Sequence, residues 1–369
     1  MPKISSATHA LFVLGATAAL ALPAAAQSKK TPKYSNEFLN IGVGARALGM
    51  GKVQASLADN ATAGYWNPAG LVNQTHKYDG VLMHSELFSG IVKNDYAAFS
   101  MPLDEKSAIG VSILRLGIDN IADTRGLINE YGYVDYGKIK YFSVADYALL
   151  LSYARKVSSI EGLSVGGSAK VIYRNVGNFA SAYGFGIDAG VQYNHKGWNL
   201  GLMARDVTTT FNSWSINAAE YEKDLTYQTN DVVPANSTEI TLPQFIIGVG
   251  RRVELPKQFS ALVAVDLEAT TDGRRNTPIS TKAVSVDPRI GLELGYKNLV
   301  FLRGGAGNFQ QISSVIDESK QWKGQYSLGA GVAVSGLRVD LALSRLAVEK
   351  LGSTSQTNSL IVSLGYGLK

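Results

Sequence analysis

Gly162-Leu163-Ser164-Val165-Gly166 matches the pattern by which hydrolases lift a serine nucleophile onto a sharp strand-to-helix turn. Here, however, Leu163, Val165, Gly167, Ala169, Val171 and Tyr173 continue as one alternating strand, which turns Ser164 to the other face and leaves no elbow. Asp266 and Glu268 stand two apart and so share a strand face, as do Arg338 and Asp340. Paired carboxylates can serve glycosidic acid-base chemistry, or they can belong to a solvated, charge-paired interior or fix an enclosed segment. Gly42, Gly44, Gly49, Gly51 and Lys52 suggest a phosphate loop, but the Walker spacing needs glycine where Arg46 sits and Ser or Thr where Val53 sits. His76, His84 and His195 lack ligand spacing, His9 lies in the leader, and cysteine is absent. No catalytic constellation, metal site or cofactor is expected.

The elements that would carry these residues are strands. Tyr183, Phe185, Ile187, Ala189, Val191 and Tyr193 alternate with Gly184, Gly186, Asp188, Gly190 and Gln192, giving one apolar face and one of glycine with a single acid. The same alternation returns at 259–268, 337–344 and 359–368. A soluble β-sandwich shares this period, but repeated segments of about ten residues, apolar outside and small or polar inside, are the signature of a transmembrane β-barrel. About fourteen such segments begin near Gly80, Asn94, Ser107, Phe142, Leu163, Tyr183, Trp198, Leu242, Phe259, Arg289, Leu299, Gln325, Leu337 and Leu360, an even number that allows closure. Short connections at 103–106, 156–162, 195–197, 253–257, 297–298 and 335–336 alternate with mostly longer ones at 117–141, 208–241, 271–287, 307–324 and 347–357. That sorting fits periplasmic turns and external loops. Aromatics gather where strands meet loops, as interfacial girdles do.

Residues 1–26 read as a secretory signal peptide, with Ala24-Ala25-Ala26 as the cleavage site. No later run reaches the roughly 18 apolar residues of a membrane helix. The net charge of +5, with 18% charged residues, is mild and has no basic cluster, so no nucleic-acid partner is expected. Thirty-eight glycines without collagen period suit strands whose inner face another backbone approaches closely. Residues 27–77 fall outside the strand pattern and form a small-residue segment expected to plug the barrel at 78–369.

The run from Phe38 to Gly51 (Phe-Leu-Asn-Ile-Gly-Val-Gly-Ala-Arg-Ala-Leu-Gly-Met-Gly), continued by Ala58 to Leu71 with Tyr65-Trp66-Asn67-Pro68-Ala69-Gly70, resembles the N-terminal signature of the PorV/PorQ family of FadL-like outer-membrane barrels. The resemblance implies a fourteen-stranded all-β barrel with an N-terminal plug. Its motif residues would be Gly44, Arg46, Gly49, Gly51, Asn67, Pro68, Ala69 and Gly70, where the Asn-Pro-Ala element is either a gate or a plain turn. It also implies a non-enzymatic component of type IX secretion or surface attachment in the outer membrane of a Gram-negative bacterium of the Bacteroidota. Its partners would be outer-membrane lipid and secretion-system proteins or secreted cargo, met through external loops carrying Trp214, Tyr221 and Trp322. The alternative within the same group is a channel for hydrophobic compounds such as long-chain fatty acids. That alternative needs a continuous apolar path, whereas the inward positions assigned from sequence are mostly Gly, Ser, Asp, Arg and Glu.

Overall fold

The computed structural model describes residues 35–368 apart from 129–130, 223–234, 314–319 and 351–352. The signal-peptide assignment at 1–26 lies outside the described residues. Seventeen strands form one antiparallel sheet. They are β1 (Tyr78–Leu87), β2 (Val92–Pro102), β3 (Ser107–Asp123), β4 (Lys140–Lys156), β5 (Leu163–Val176), β6 (Ala180–His195), β7 (Trp198–Arg205), β8 (Thr210–Ile216) and β9 (Ser237–Thr241). The rest are β10 (Gln244–Leu255), β11 (Phe259–Thr270), β12 (Ile279–Ser280), β13 (Ser285–Tyr296), β14 (Val300–Ser313), β15 (Lys320–Val334), β16 (Leu337–Lys350) and β17 (Ser353–Leu368). β1 pairs with both β2 and β17, so the sheet closes on itself.

β6 pairs with β7 below and β8 above, β7 pairs with β10, and β8 pairs with β9. β7 with β8 is therefore one interrupted wall strand and β9 with β10 another, while β12 is a short flap on β13. The wall thus has fourteen strands. Several external connections are shorter than the sequence suggested, because β3, β14, β15, β16 and β17 run on into them and the 208–241 segment carries β8 and β9. The cause lies inside: Asn212 and Thr241 hydrogen-bond Asn36, which pins this hairpin to the N-terminal segment. At the other end the turns are tight. Lys196-Gly197, Lys297-Asn298 and Ser335-Gly336 all take positive φ, matching the twist of the strands they join.

Alternation decides what each face meets. On β6, Tyr183, Phe185 and Ile187 are exposed outward while Ala182, Asp188 and Gln192 are buried inward. Leu82, Leu151, Leu200, Ile247, Leu267, Leu302, Leu328 and Leu360 continue the exposed apolar face around the wall. A closed sheet with such a belt and a filled interior satisfies its backbone in lipid, and the molecule is a transmembrane β-barrel with an N-terminal plug.

The plug occupies the lumen as short helical turns at Glu37–Asn40, Ala45–Gly49, Ala63–Trp66 and Pro68–Asn73. Phe38, Val43, Leu48, Tyr65, Trp66 and Leu71 pack against Met83, Tyr96, Leu114, Leu150, Ile172 and Ile361 of the wall, forming the main core. This corrects the reading of the inner face as mostly polar: β1–β5 carry an apolar inner stripe. It is hidden from pattern analysis because the stripe faces the plug instead of solvent.

Candidate functional site

Asn67 holds the middle of the plug against the wall. It is fully buried; its amide donates to Ala55 O at 2.7 Å and Val191 O at 3.1 Å, while its carbonyl oxygen accepts from Ala69 N–H. Pro68 follows at the first helical position, where its missing N–H costs nothing. This contact requires glycine opposite. A Cβ on Gly190 would stand 2.0 Å from Asn67 Oδ1, and one on Gly166 2.6 Å from Ala69 N, while one on Gly70 would meet the Ala58 carbonyl. The structure thus brings Asn67, Pro68, Ala69 and Gly70 together as a buried turn seated on β5 and β6.

The other half of the motif seats on β13–β17. Gly49 lies against Gly329, where an added Cβ would come within 3.1 Å of backbone, and Gly51 takes φ +67 against Gly305 and Ala306. Gly44 caps the short helix at φ +84. Arg46 reaches Glu293 at 3.0 Å and Asp59 at 3.1 Å. Glu293, itself buried, also receives Arg303 at 2.7 Å and Arg252 at 3.3 Å, and Arg303 continues to Asp340 at 2.7 Å. Arg338 pairs with Asp79, which also accepts from the Ala61 N–H of the plug. Of the carboxylates singled out in the sequence, Asp266 also holds the plug, accepting from the N–H groups of Gln54 at 2.8 Å and Ala55 at 3.0 Å, whereas Glu268 on β11 pairs with Arg289 on β13 within the wall. Ser164 lies within β5, buried, with its hydroxyl near Gln192 O at 3.5 Å.

Cavities lie on both sides of the plug. The outer vestibule, about 530 Å³, has an apolar side of Phe38, Leu48, Leu87 and Leu116 and a cationic side including Arg275 and Arg289. Lys52 lines it, donating to Asn40 O at 3.0 Å; burial first, then the nearby Arg289 charge, pushes its ammonium down to about 8. On the short-turn side, a cavity of about 350 Å³ surrounds Arg46 and Glu293, and another of about 430 Å³ opens beside Leu71, Val72 and Leu103.

Two polar arrangements escaped sequence analysis. Lys170, 2% exposed, sits between Asp188 at 2.7 Å and Asp206 at 2.6 Å, directly behind the break between β7 and β8. Asp206 and Thr209 both take positive φ at that break, and Val207 N–H bonds Ile187 O. The only sequence signal was a lysine at an inward position, since its partners lie 18 and 36 residues away (188 − 170 and 206 − 170). The second is on the lipid side of β1–β3, where His84 meets Asp95 at 2.6 Å, Arg115 meets Asp95 at 3.3 Å, and Lys93 meets Asp119 at 3.2 Å. The inward neighbours Met83, Ser85, Asn94 and Leu114 are all buried, so this charged row points outward.

The aromatic residues expected to dock a partner are not gathered. Trp214 donates to Glu239 at 3.1 Å and carries Arg174, which lines the vestibule, over its ring at 5.1 Å. Half-buried, Trp214 belongs to the extra hairpin β8–β9, where the sequence suggests a loop. Trp322 is 54% exposed on the upper outer surface of β15, and the side chain of Tyr221 lies outside the described residues.

The class this geometry defines is a plugged, fourteen-stranded transmembrane barrel. No protein-family model matches the sequence, and no curated protein does. Solved structures share the fold. The toluene transporter TodX of Pseudomonas putida aligns with 14% identity over 89% of this chain and 99% of its own, at a TM-score of 0.57. The CymD monoaromatic hydrocarbon channel gives 14% over 88% and 97%, at 0.56, and a Pseudomonas aeruginosa FadL homologue 12% over 89% and 98%, at 0.53. At such identities the likeness is one of fold: these are FadL-like barrels in architecture.

Proposed function

We propose that the protein is a non-enzymatic outer-membrane barrel of a Gram-negative bacterium that passes a hydrophobic compound along its inner wall when the plug shifts. The observation that carries this reading is the apolar stripe beneath the plug. It runs from Leu87 and Leu116 at the vestibule through Met83, Tyr96, Ala98 and Leu114 to Ala108, Leu71 and Val72 at the cavity on the short-turn side. A polar lumen would have no use for such a stripe beyond seating the plug, and the neighbours named as hydrocarbon channels share the barrel.

The test is extraction in mild detergent followed by mass spectrometry of bound small molecules. The wild type is expected to retain an apolar compound, or to bind added toluene or oleate, and Leu114→Lys to lose it with the barrel still assembled. No retained or bound apolar compound, with plug accessibility unchanged by either additive, would remove the channel reading.

A second reading is favoured by the PorV/PorQ-like signature of residues 38–71 and by exposed aromatics at the outer mouth: Trp322, Tyr131, Tyr133 and Tyr136. On it the sealed barrel docks type IX secretion proteins or their cargo at the surface of a member of the Bacteroidota. Co-isolation of a translocon or cargo in native mass spectrometry supports it; isolation of the barrel alone counts against it.

A further inference from the structure

Most arginines of the lumen and vestibule face a carboxylate; Arg46, Arg174, Arg252, Arg275, Arg289, Arg303 and Arg338 all do. Arg251 does not. It points outward from the short-turn end of β10, paired across the sheet with Trp198, and its guanidinium lies 4.5 Å over that indole. Three further cations share this edge in the turns between neighbouring strands: Lys196, Lys257 and Lys297, the last 5.2 Å over Tyr296. All four are exposed, and among the described residues none makes an ion pair. The nearest acid in sequence, Glu254, sits at an inward register position on β10, opposite buried Ser260. Across the barrel the rim is mixed in sign, with Asp104 and Glu105 beside Lys106 in the β2–β3 turn and Arg155 and Lys156 at the end of β4.

Directly above the cations lie Leu200, Val249, Val263 and Leu294, all exposed apolar residues of the belt. An anion meeting both groups must carry its charge at the membrane boundary and a hydrocarbon tail beside the wall. We propose that the outward, short-turn edge of β7–β14 binds an anionic phospholipid of the periplasmic leaflet. Arg251 and Lys196 take the phosphate beside Trp198, Lys257 and Lys297 extend the positive edge, and the acyl chains lie along the aliphatic row. Stacking on indole and phenol rings holds Arg251 and Lys297 at the boundary and leaves their N–H groups to the head group.

The test is native mass spectrometry of the delipidated full-length barrel titrated with phosphatidylglycerol or phosphatidylcholine. The wild type is expected to prefer phosphatidylglycerol, and Lys196→Gln/Arg251→Gln/Lys297→Gln to lose at least about tenfold in its affinity, since each surface charge contributes about fivefold. The control Lys106→Gln/Arg155→Gln/Lys156→Gln, across the barrel, should bind as the wild type does, and millimolar inorganic phosphate should not displace the lipid. Arg251→Gln alone, about fivefold weaker, replaces the triple variant if the latter fails the heat-shift assay for a folded barrel. Equal binding of the two lipids, equal loss in the control, or displacement by free phosphate would overturn the assignment.

Discussion

Glu293 and Arg46 share one contact, but removing each side of it should not cost the same. Arg46→Gln deletes bonds to Glu293 and Asp59, yet Glu293 keeps Arg303 at 2.7 Å and Arg252 at 3.3 Å. No buried charge is orphaned, so the loss is about 1–2 kcal/mol, close to that of a partly exposed pair. Glu293→Gln instead leaves three guanidinium groups around a neutral amide, two of them retaining only Asp59 or Asp340, which is the costlier error at about 3–5 kcal/mol. Because the chain has no cysteine, a single Ala47→Cys at a buried plug position reports opening through its maleimide labelling rate. With labelling proportional to the open fraction, Arg46→Gln should speed it about 5- to 30-fold and Glu293→Gln more than about a hundredfold. The same order should appear in ion leak across planar bilayers. If Arg46→Gln labels as fast as Glu293→Gln, or neither changes the rate, the plug is not held by this cluster.

Other perturbations give distinct readouts. Gly305→Ala places a Cβ 2.2 Å from the backbone of Met50 and Gly51, so the plug must shift at a cost of about 1–3 kcal/mol; Ala47→Cys labelling should rise while heat-modifiable migration stays that of a folded barrel. Lys52 has a native value lowered to about 8 from 10.5, so the unfolded state binds more protons between those values and stability should rise as pH climbs through that window. Denaturant midpoints at pH 7.5 and 10 should show the rise in the wild type and its absence in Lys52→Met; a flat wild-type profile refutes it. Lys170→Met strands Asp188 and Asp206 behind the β7–β8 break and should cost about 3–5 kcal/mol. Asp188→Asn/Asp206→Asn/Lys170→Met should recover most of that in the same unfolding assay.

Period two was enough to place the fourteen wall strands, because each has one face in the apolar belt and one against plug or lumen. Inward glycines such as Gly190 pointed to a backbone pressed against the wall, and Asn67 is what lies there. The site was less legible. Lys170 with Asp188 and Asp206, and Glu293 with Arg252, Arg303 and the plug's Arg46, are joined by strand register and by where the plug seats, neither of which is written in a single sequence. The inner stripe of Met83, Tyr96 and Leu114 reads locally as strand variation, since inward apolar residues make sense only once the plug is known to cover them. The β8–β9 hairpin was lost among polar loop residues because Asn36, far away in sequence, is what fixes it.

The charged row on β1–β3 makes this barrel an unequal guest in its bilayer. From Tyr78 at the lower boundary to His84 is six residues, about 15 Å of height at a tilt near 40°, where lipid-facing belts run to about 25 Å. Elsewhere the wall is tall enough: on β4, Tyr153 to Tyr141 spans about 30 Å by the same measure. Lipid beside β1–β3 must therefore pinch by about two-fifths while lipid opposite does not, a one-sided mismatch that strains the membrane in a fixed direction relative to the molecule. Such a protein drifts toward thin bilayer and turns its pinched side toward other inclusions that pinch too, so that lipid elasticity alone orients its neighbours. Stronger thermal stabilisation by short-chain than by long-chain phosphatidylcholine, lost in His84→Leu/Lys93→Leu/Asp95→Leu/Arg115→Leu/Asp119→Leu, is the measurable trace of that strain.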